Sequence, residues 1–139
     1  MSANTTPIFI LAPNTSVATI GAANTARDGS GALVTVFTAG ADGSRLDSID
    51  FTSAQATAAA SSAMVWNVFI TDTAGANPRL FKSLAQVTIT PSTTVISATG
   101  NLSFGNGLLL TSGQLVRVTQ TVYAGVQDKV DVIARGGNY

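Results

Sequence analysis

The most informative segment of this chain is MVWNVFI, residues Met64–Ile70. Neighbouring side chains on a β-strand point to opposite faces of the sheet, so Trp66 and Val68 belong to one face and Val65 and Phe69 to the other. Both faces of this strand are therefore largely apolar. The pattern predicts a central strand that is covered on one face by a second sheet and on the other by a loop or a neighbouring subunit.

Strand-like runs of the same kind recur along the whole chain. They are rich in Thr, Val, Ile and Phe, and clusters of Gly, Asn, Asp, Pro and Ser separate them. This spacing is typical of an all-β sandwich or barrel. We predict an antiparallel, jelly-roll-like β-sandwich of about eight or nine strands. The candidate runs are Ile8–Leu11, Val17–Ile20, Leu33–Thr38, Arg45–Phe51, Met64–Thr71, Arg79–Leu84, Gln86–Thr90, Thr93–Thr99, Gln114–Tyr123 and Lys129–Ala134.

Turn and loop residues lie between these runs. Asp42-Gly43 favours a tight turn, which predicts a hairpin between the strands on either side. The Ala-rich segment Ser53–Ala63 lacks an apolar stripe with helical period, so we predict a flexible or extended connection there. The segment Gly100–Gly107 is predicted to be a second loop, in which Phe104 is a candidate anchor for a partner.

The length of 139 residues fits a single domain that spans residues 1–139. Residues 1–7 form a polar, uncharged arm, and residues 135–139 form a Gly-containing tail that ends in an aromatic side chain. Such termini either fray in solution or become ordered on a neighbouring subunit. In the second case Phe9 and Tyr139 are the expected anchors.

Composition excludes several classes of chemistry. The chain contains no His and no Cys, which removes an imidazole base, a thiolate nucleophile, a Cys/His zinc site and a disulfide framework. Seven Lys+Arg residues balance seven acidic residues, and all of the acidic residues are Asp. The basic residues are scattered along the chain, which argues against nucleic-acid binding because that requires clustered cations.

Two close pairs of aspartates, Asp47/Asp50 and Asp128/Asp131, are the remaining candidates for acid–base catalysis. On a strand, a spacing of three residues places the two members of a pair on opposite faces, so neither pair is expected to share a proton. We interpret these residues as solvated or turn aspartates. The protein is therefore predicted not to be an enzyme and to use no cofactor, metal or small-molecule substrate.

The surface is weakly charged. Charged residues make up 10% of the chain, against about 25% in an average globular domain, and the mean hydropathy is +0.34. A monomer coated with Thr and Ser and a subunit of an oligomer or assembly both fit these values, and we favour the subunit. No apolar run is long enough for a transmembrane helix, and the amino terminus lacks the basic start of a secretory signal, so no membrane association is predicted.

A family resemblance extends over nearly the whole chain. It is carried by Ala23–Gly31, Val36–Leu46, Val68–Asp72, Arg79–Lys82, Thr90–Ser92 and Val132–Tyr139. These segments resemble a family of small virion proteins encoded by tailed bacteriophages and prophages. Within that family the resemblance is closest to capsid decoration, or cement, proteins. Such proteins bind the outside of the expanded shell and bridge neighbouring major capsid subunits, commonly as trimers.

The resemblance implies a homotrimer on the outer capsid surface of the virion, made in the host cytoplasm, with the major capsid protein as its partner. A tail, baseplate or head-fibre component that binds the host surface is the alternative. We expect Arg27 and Asp28 to order the loop before Leu33 by pairing with Asp47 or Arg45. The candidate partner contacts are Phe9, Arg27, Asp28, Arg45, Phe104 and Tyr139.

Overall fold

The computed structural model describes residues 10–53, 59–90 and 97–139 of the chain. Within these ranges the chain forms eight β-strands and one 3-10 helix, Val126–Asp128. The strands are β1 Ala12–Ile20, β2 Val34–Thr38, β3 Ser44–Ser53, β4 Met64–Thr73, β5 Arg79–Gln86, β6 Thr99–Leu110, β7 Gln114–Gln120 and β8 Val130–Asn138. No helix in these ranges is long and apolar enough to cross a membrane.

The strands form two four-stranded sheets, with the orders β1-β8-β3-β6 and β2-β7-β4-β5. Every pairing between neighbouring strands is antiparallel. The chain passes from one sheet to the other at each connection except that between β4 and β5. This interleaved order is that of a jelly roll. The predicted antiparallel, jelly-roll-like sandwich is therefore confirmed.

The core lies between the two sheets and is centred on Trp66. The indole ring stacks on Phe51 of the opposite sheet, with ring centroids 5.0 Å apart and planes inclined by 6°. Gly100 of β6 lies beside the same ring, and a Cβ atom at this position would lie 2.5 Å from Cζ3 of Trp66. A residue without a side chain is needed here because interiors are close-packed and a bulkier residue would displace the indole.

The outer face of β4 is buried as well, as its two-sided apolar pattern predicts. Phe69 is fully buried although it lies outside the core cluster. A loop of residues 21–33 reaches across this face. At one end the Asn24 N–H donates to the carbonyl of Gln120 at the end of β7, and at the other Gly29 packs on Pro78 before β5. The sequence predicted that either a loop or a neighbouring subunit covers this face, and in the structure it is a loop of the same chain.

The predicted loop at Gly100–Gly107 is wrong, because these residues belong to strand β6. The register with β3 passes from Leu46↔Leu108 to Ser48↔Ser103, so the intervening residues of β6 bulge out of the ladder. Their glycines adopt positive φ angles, as residues in bulges often do. The glycine-rich pattern therefore marks an irregularity inside an edge strand rather than a connection.

The turn at Asp42-Gly43 is present, but the predicted hairpin is wrong. Gly43 has a φ angle of 92°, and its N–H donates to the carbonyl of Gly40 at 3.1 Å. The strands on either side, β2 and β3, belong to different sheets. A tight turn reverses the direction of the chain, but the buried faces of the strands determine which partner each one takes.

The predicted flexible tail is also wrong. Residues 135–138 lie in β8, between β1 and β3. A Cβ atom on Gly136 would lie 2.2 Å from the carbonyl oxygen of Arg45, and one on Gly137 would lie 2.2 Å from Cγ2 of Ile10. These glycines permit close packing with neighbouring chain segments, which is a reason for glycine that has nothing to do with flexibility.

Candidate functional site

The two open sides of the sandwich differ. Strands β1 and β2 approach each other along one side, whereas β5 and β6 meet at few points along the other. Phe81 of β5 and Phe104 of β6 bridge this second gap, with ring centroids 5.9 Å apart. Together with Leu84, which packs against the core from β5, these two rings define a surface that we call the β5–β6 mouth. Phe81 is 43% exposed there.

Strand β5 is the most exposed strand of its sheet. Its first five residues, Arg79–Ser83, are all exposed. It pairs with β4 on one side, and no strand among the described residues pairs with its other side. An unpaired strand edge presents backbone N–H and C=O groups that can accept an added strand. The mouth therefore combines free main-chain groups with exposed aromatic surface.

The charges on the two strands of the mouth are of one sign. Strand β5 carries Arg79 and Lys82 and no acidic residue, and β6 carries no charged residue. The register pairs Lys82 with Val68 and Arg79 with Ile70. Val68 and Ile70 contribute to the core, so both cations flank the mouth on its core-facing side. The ion pairs among the described residues involve neither of them.

A depression continues from the mouth towards the β4–β5 turn. It has a volume of about 270 Å³ and is open to solvent on one side. Its one acidic residue, Asp72, accepts a hydrogen bond from Nδ2 of Asn77 at 2.8 Å. Ile70, Leu80 and Phe81 contribute apolar surface to this depression. Its lining residues are Ile70, Thr71, Asp72, Arg79, Leu80, Phe81 and Gln114.

The outer face of the sheet β1-β8-β3-β6 has a different chemistry. A bulge between Leu46 and Ser48 shifts the register of β3 by one residue against β8. Because of this shift Asp47 and Asp50 lie on the same outer face, which corrects the prediction that they lie on opposite faces. Each forms an ion pair with an arginine. Arg45 Nε lies 2.8 Å from Asp47 Oδ1, and Arg135 Nη1 contacts Asp50 Oδ2.

The loop of residues 21–33 is organised by Asn24 rather than by the predicted ion pairs. The Asn24 side-chain amide donates to the carbonyls of Ser30 and Ala32, at 2.9 Å each. Its Oδ1 atom accepts the N–H of Ala26 at 3.0 Å. Asn side chains close loops in this way because they offer donors and an acceptor in one group.

Arg27 and Asp28 lie exposed at the tip of this loop. The predicted pairing of these residues with Asp47 or Arg45 is wrong, because Arg45 and Asp47 pair with each other. Asp28 instead accepts the N–H of Ser30 at 2.9 Å, and this backbone hydrogen bond lowers the pKa of the Asp28 carboxyl.

Of the other predicted contacts, Phe104 is the one that lies at the mouth. Arg45 is tied to Asp47 on the charged outer face. Tyr139 is half-buried, and its N–H donates to the carbonyl of Gly43 at 3.3 Å. Phe9 and the predicted arm of residues 1–7 lie outside the described residues.

Sequence reasoning missed Phe81 and Lys82. Both lie in a run that was correctly predicted to be a strand, Arg79–Leu84, and the run contains two cations and no acid. That charge imbalance was a usable signal. No local signal gives the position of β5 at the edge of its sheet, because edge position follows from the topology of the whole chain.

The chain also contains a buried carboxylate. Asp128 was predicted to be solvated or in a turn, and the structure has it in a helical turn but buried. Asp128 is fully buried at the end of the 3-10 helix. Its carboxylate accepts the Ser62 N–H at 2.6 Å, the Ser62 hydroxyl at 2.9 Å and the Ala124 N–H at 2.7 Å. Desolvation raises the pKa of this carboxyl, but the three hydrogen bonds outweigh it, and the pKa lies below its usual value.

Among the described residues, no group of three or more acidic side chains is placed to hold a metal ion. No protein family model, curated protein or solved structure matches the chain. A functional assignment therefore starts from the geometry of the described residues.

Proposed function

We propose that this protein is a structural protein of a tailed-phage virion, and specifically a capsid decoration protein. It binds the outside of the major capsid shell as a homotrimer and bridges neighbouring subunits. The observation that carries the proposal is the β5–β6 mouth, where Phe81 is exposed beside an edge of β5 that no described strand pairs. The resemblance of its segments to decoration proteins supports the major capsid protein as the partner.

A bridging protein needs adhesive surface on more than one side. Leu11, just before β1, is 82% exposed, and Val17 of β1 is 65% exposed. Strand β1 lies at the opposite end of its sheet from β6, so this apolar surface and the mouth lie on opposite sides of the sandwich. Large apolar side chains exposed to this extent are candidates for burial against another protein.

The individual contacts of such a protein need not be strong. Each copy in a trimer brings one mouth to the shell, and the second and third contacts then form at a high effective concentration. A rigid scaffold helps because little conformational entropy is lost when a preformed surface binds. The packed core around Trp66 and Phe51 provides that rigidity.

The proposal is tested by deleting the gene from the phage and purifying the heads. We expect heads of normal size that break at lower temperature or lower salt than wild-type heads, and that regain stability when the purified protein is added. The matched control is the same deletion complemented in the host. Heads of unchanged stability with a defect in adsorption to host cells would instead assign the protein to a tail, baseplate or head fibre.

A further inference from the structure

We infer that the free edge of β5 binds an extended, acidic segment of the major capsid subunit, which adds to the sheet β2-β7-β4-β5 as a fifth strand. This inference rests on the proposed function for the identity of the partner. Its chemistry rests on β5 itself, which combines aromatic surface, two cations and a backbone edge that no described strand pairs.

Backbone groups provide the first element of this recognition. In strand addition, main-chain hydrogen bonds supply much of the affinity, and pockets for alternate side chains supply the specificity. The residues Arg79–Ser83 are all exposed, and no described strand pairs with their outer edge. A strand added here extends a sheet that already carries a packed core on one face.

The mouth provides the pocket. Alternate side chains of an added strand point towards the same face of the sheet. On the core-facing side they would meet Phe81, Leu84 and Phe104, which already contact one another or the core. Aromatic rings with partial exposure are frequent anchors in protein interfaces. The partner segment should therefore carry apolar side chains at alternate positions.

Charge decides between an acidic partner and a second copy of this chain. Pairing β5 with β5 of another copy would bring two copies of Arg79 and Lys82 to one seam without an acid on either strand. Pairing β5 with β6 of another copy would leave the cations unpaired, because β6 carries no charge. An edge lysine and a strand bulge also deter unspecific strand pairing. A segment that carries Asp or Glu satisfies both cations.

The test measures the binding of labelled protein to heads purified from the deletion phage. The variant Lys82→Glu is compared with Lys129→Glu, which reverses the charge of another exposed lysine outside the sheets. We expect Lys82→Glu to weaken binding about tenfold and to reduce its salt dependence, whereas Lys129→Glu binds as wild type. Thermal melts of both variants check that the fold is intact.

A second measurement identifies the partner segment. Overlapping peptides that cover the major capsid subunit are tested for binding to wild type and to Phe81→Ser. We expect the peptides that bind to be acidic with alternating apolar residues, and to lose binding to Phe81→Ser. Binding by neutral or basic peptides alone would overturn the inference.

The outcomes separate the two proposals. If wild type does not bind the heads, the proposed function fails and the inference fails with it. If wild type and Lys82→Glu bind the heads equally, the inference alone is overturned. If Lys82→Glu changes the native mass of the purified protein in solution, β5 contacts a second copy, and this too overturns the inference.

Discussion

The charged outer face of the sheet β1-β8-β3-β6 and the β5–β6 mouth use the same kinds of side chain differently. On the outer face Arg45 and Arg135 each bind an aspartate of β3. At the mouth Arg79 and Lys82 have no acidic partner among the described residues. One region satisfies its charges within the chain, and the other has cations that no described acid pairs. The comparison predicts that substitutions in the two regions change different properties.

The largest effect on stability is expected at Asp128, whose carboxylate accepts three hydrogen bonds from within the chain. Replacing this buried carboxylate by Asn removes one of its two acceptor oxygens, so an NH₂ group faces either the Ser62 N–H or the Ala124 N–H. We expect Asp128→Asn to lower the free energy of unfolding by about 2–3 kcal/mol, because buried donors lose a charged acceptor. Chemical denaturation measures this change.

The matched control for that substitution is Asp131→Asn. Asp131 is half-buried and accepts one hydrogen bond, from the Thr19 hydroxyl at 2.6 Å. Its loss should change the free energy of unfolding by about 0.5 kcal/mol or less. Equal losses in the two variants would contradict the role given to the buried carboxylate.

The pH dependence of stability should follow from the same residue. The pKa of Asp128 is lowered in the folded protein, so its contribution is fully present above the pKa of the unfolded chain, about 3.9, and is lost as the pH falls through the folded pKa. We expect the thermal midpoint of the wild type to drop below about pH 4 and the drop to be smaller in Asp128→Asn. A drop of the same size in that variant would assign the acid sensitivity to other carboxylates.

An intermediate effect is expected on the charged outer face. Arg135 and Asp50 are both partly exposed, with side-chain exposures of 51% and 28%. Solvent screens such a pair, so Asp50→Asn should cost about 0.5 kcal/mol of unfolding free energy. Denaturant titration beside the wild type measures this cost, and a loss as large as that of Asp128→Asn would show that the outer face carries more of the stability than we infer.

The smallest effect on stability is expected at the mouth. Lys82 is exposed and makes no ion pair within the described part of the chain, so Lys82→Glu should leave the free energy of unfolding within about 0.5 kcal/mol of wild type. Denaturation of the variant used for the head-binding assay tests this directly. A large loss of stability would mean that this lysine has a role in the fold.

Much of the fold could be predicted because local patterns and buried faces agree. The two-sided apolar pattern around Trp66 predicted a central strand, and the Asp42-Gly43 turn occurs where the sequence places it. The all-β class followed from the spacing of strands and turns. These features depend on residues that are close in the sequence, which is why a single sequence contains them.

The errors share one physical cause. Gly136 and Gly107 looked like flexible glycines, but each allows close approach of a distant segment, at Arg45 in both cases. Asp128 looked solvated, but its hydrogen-bond donors come from residues 62 and 124. Such contacts join segments far apart in the chain, and no local pattern contains them. The mouth was only partly predicted for the same reason, since Phe104 was named as an anchor and Phe81 across the gap was not.

The most direct test of the central claim is hydrogen–deuterium exchange of the protein, free and bound to heads from the deletion phage. An added strand would bond the outward-facing N–H groups of β5. The account therefore predicts that amides of Arg79–Gln86 exchange more slowly on binding, while those of the outer-face strand β1 change little. Slower exchange confined to β1 or to the loop of residues 21–33, with β5 unchanged, would contradict it.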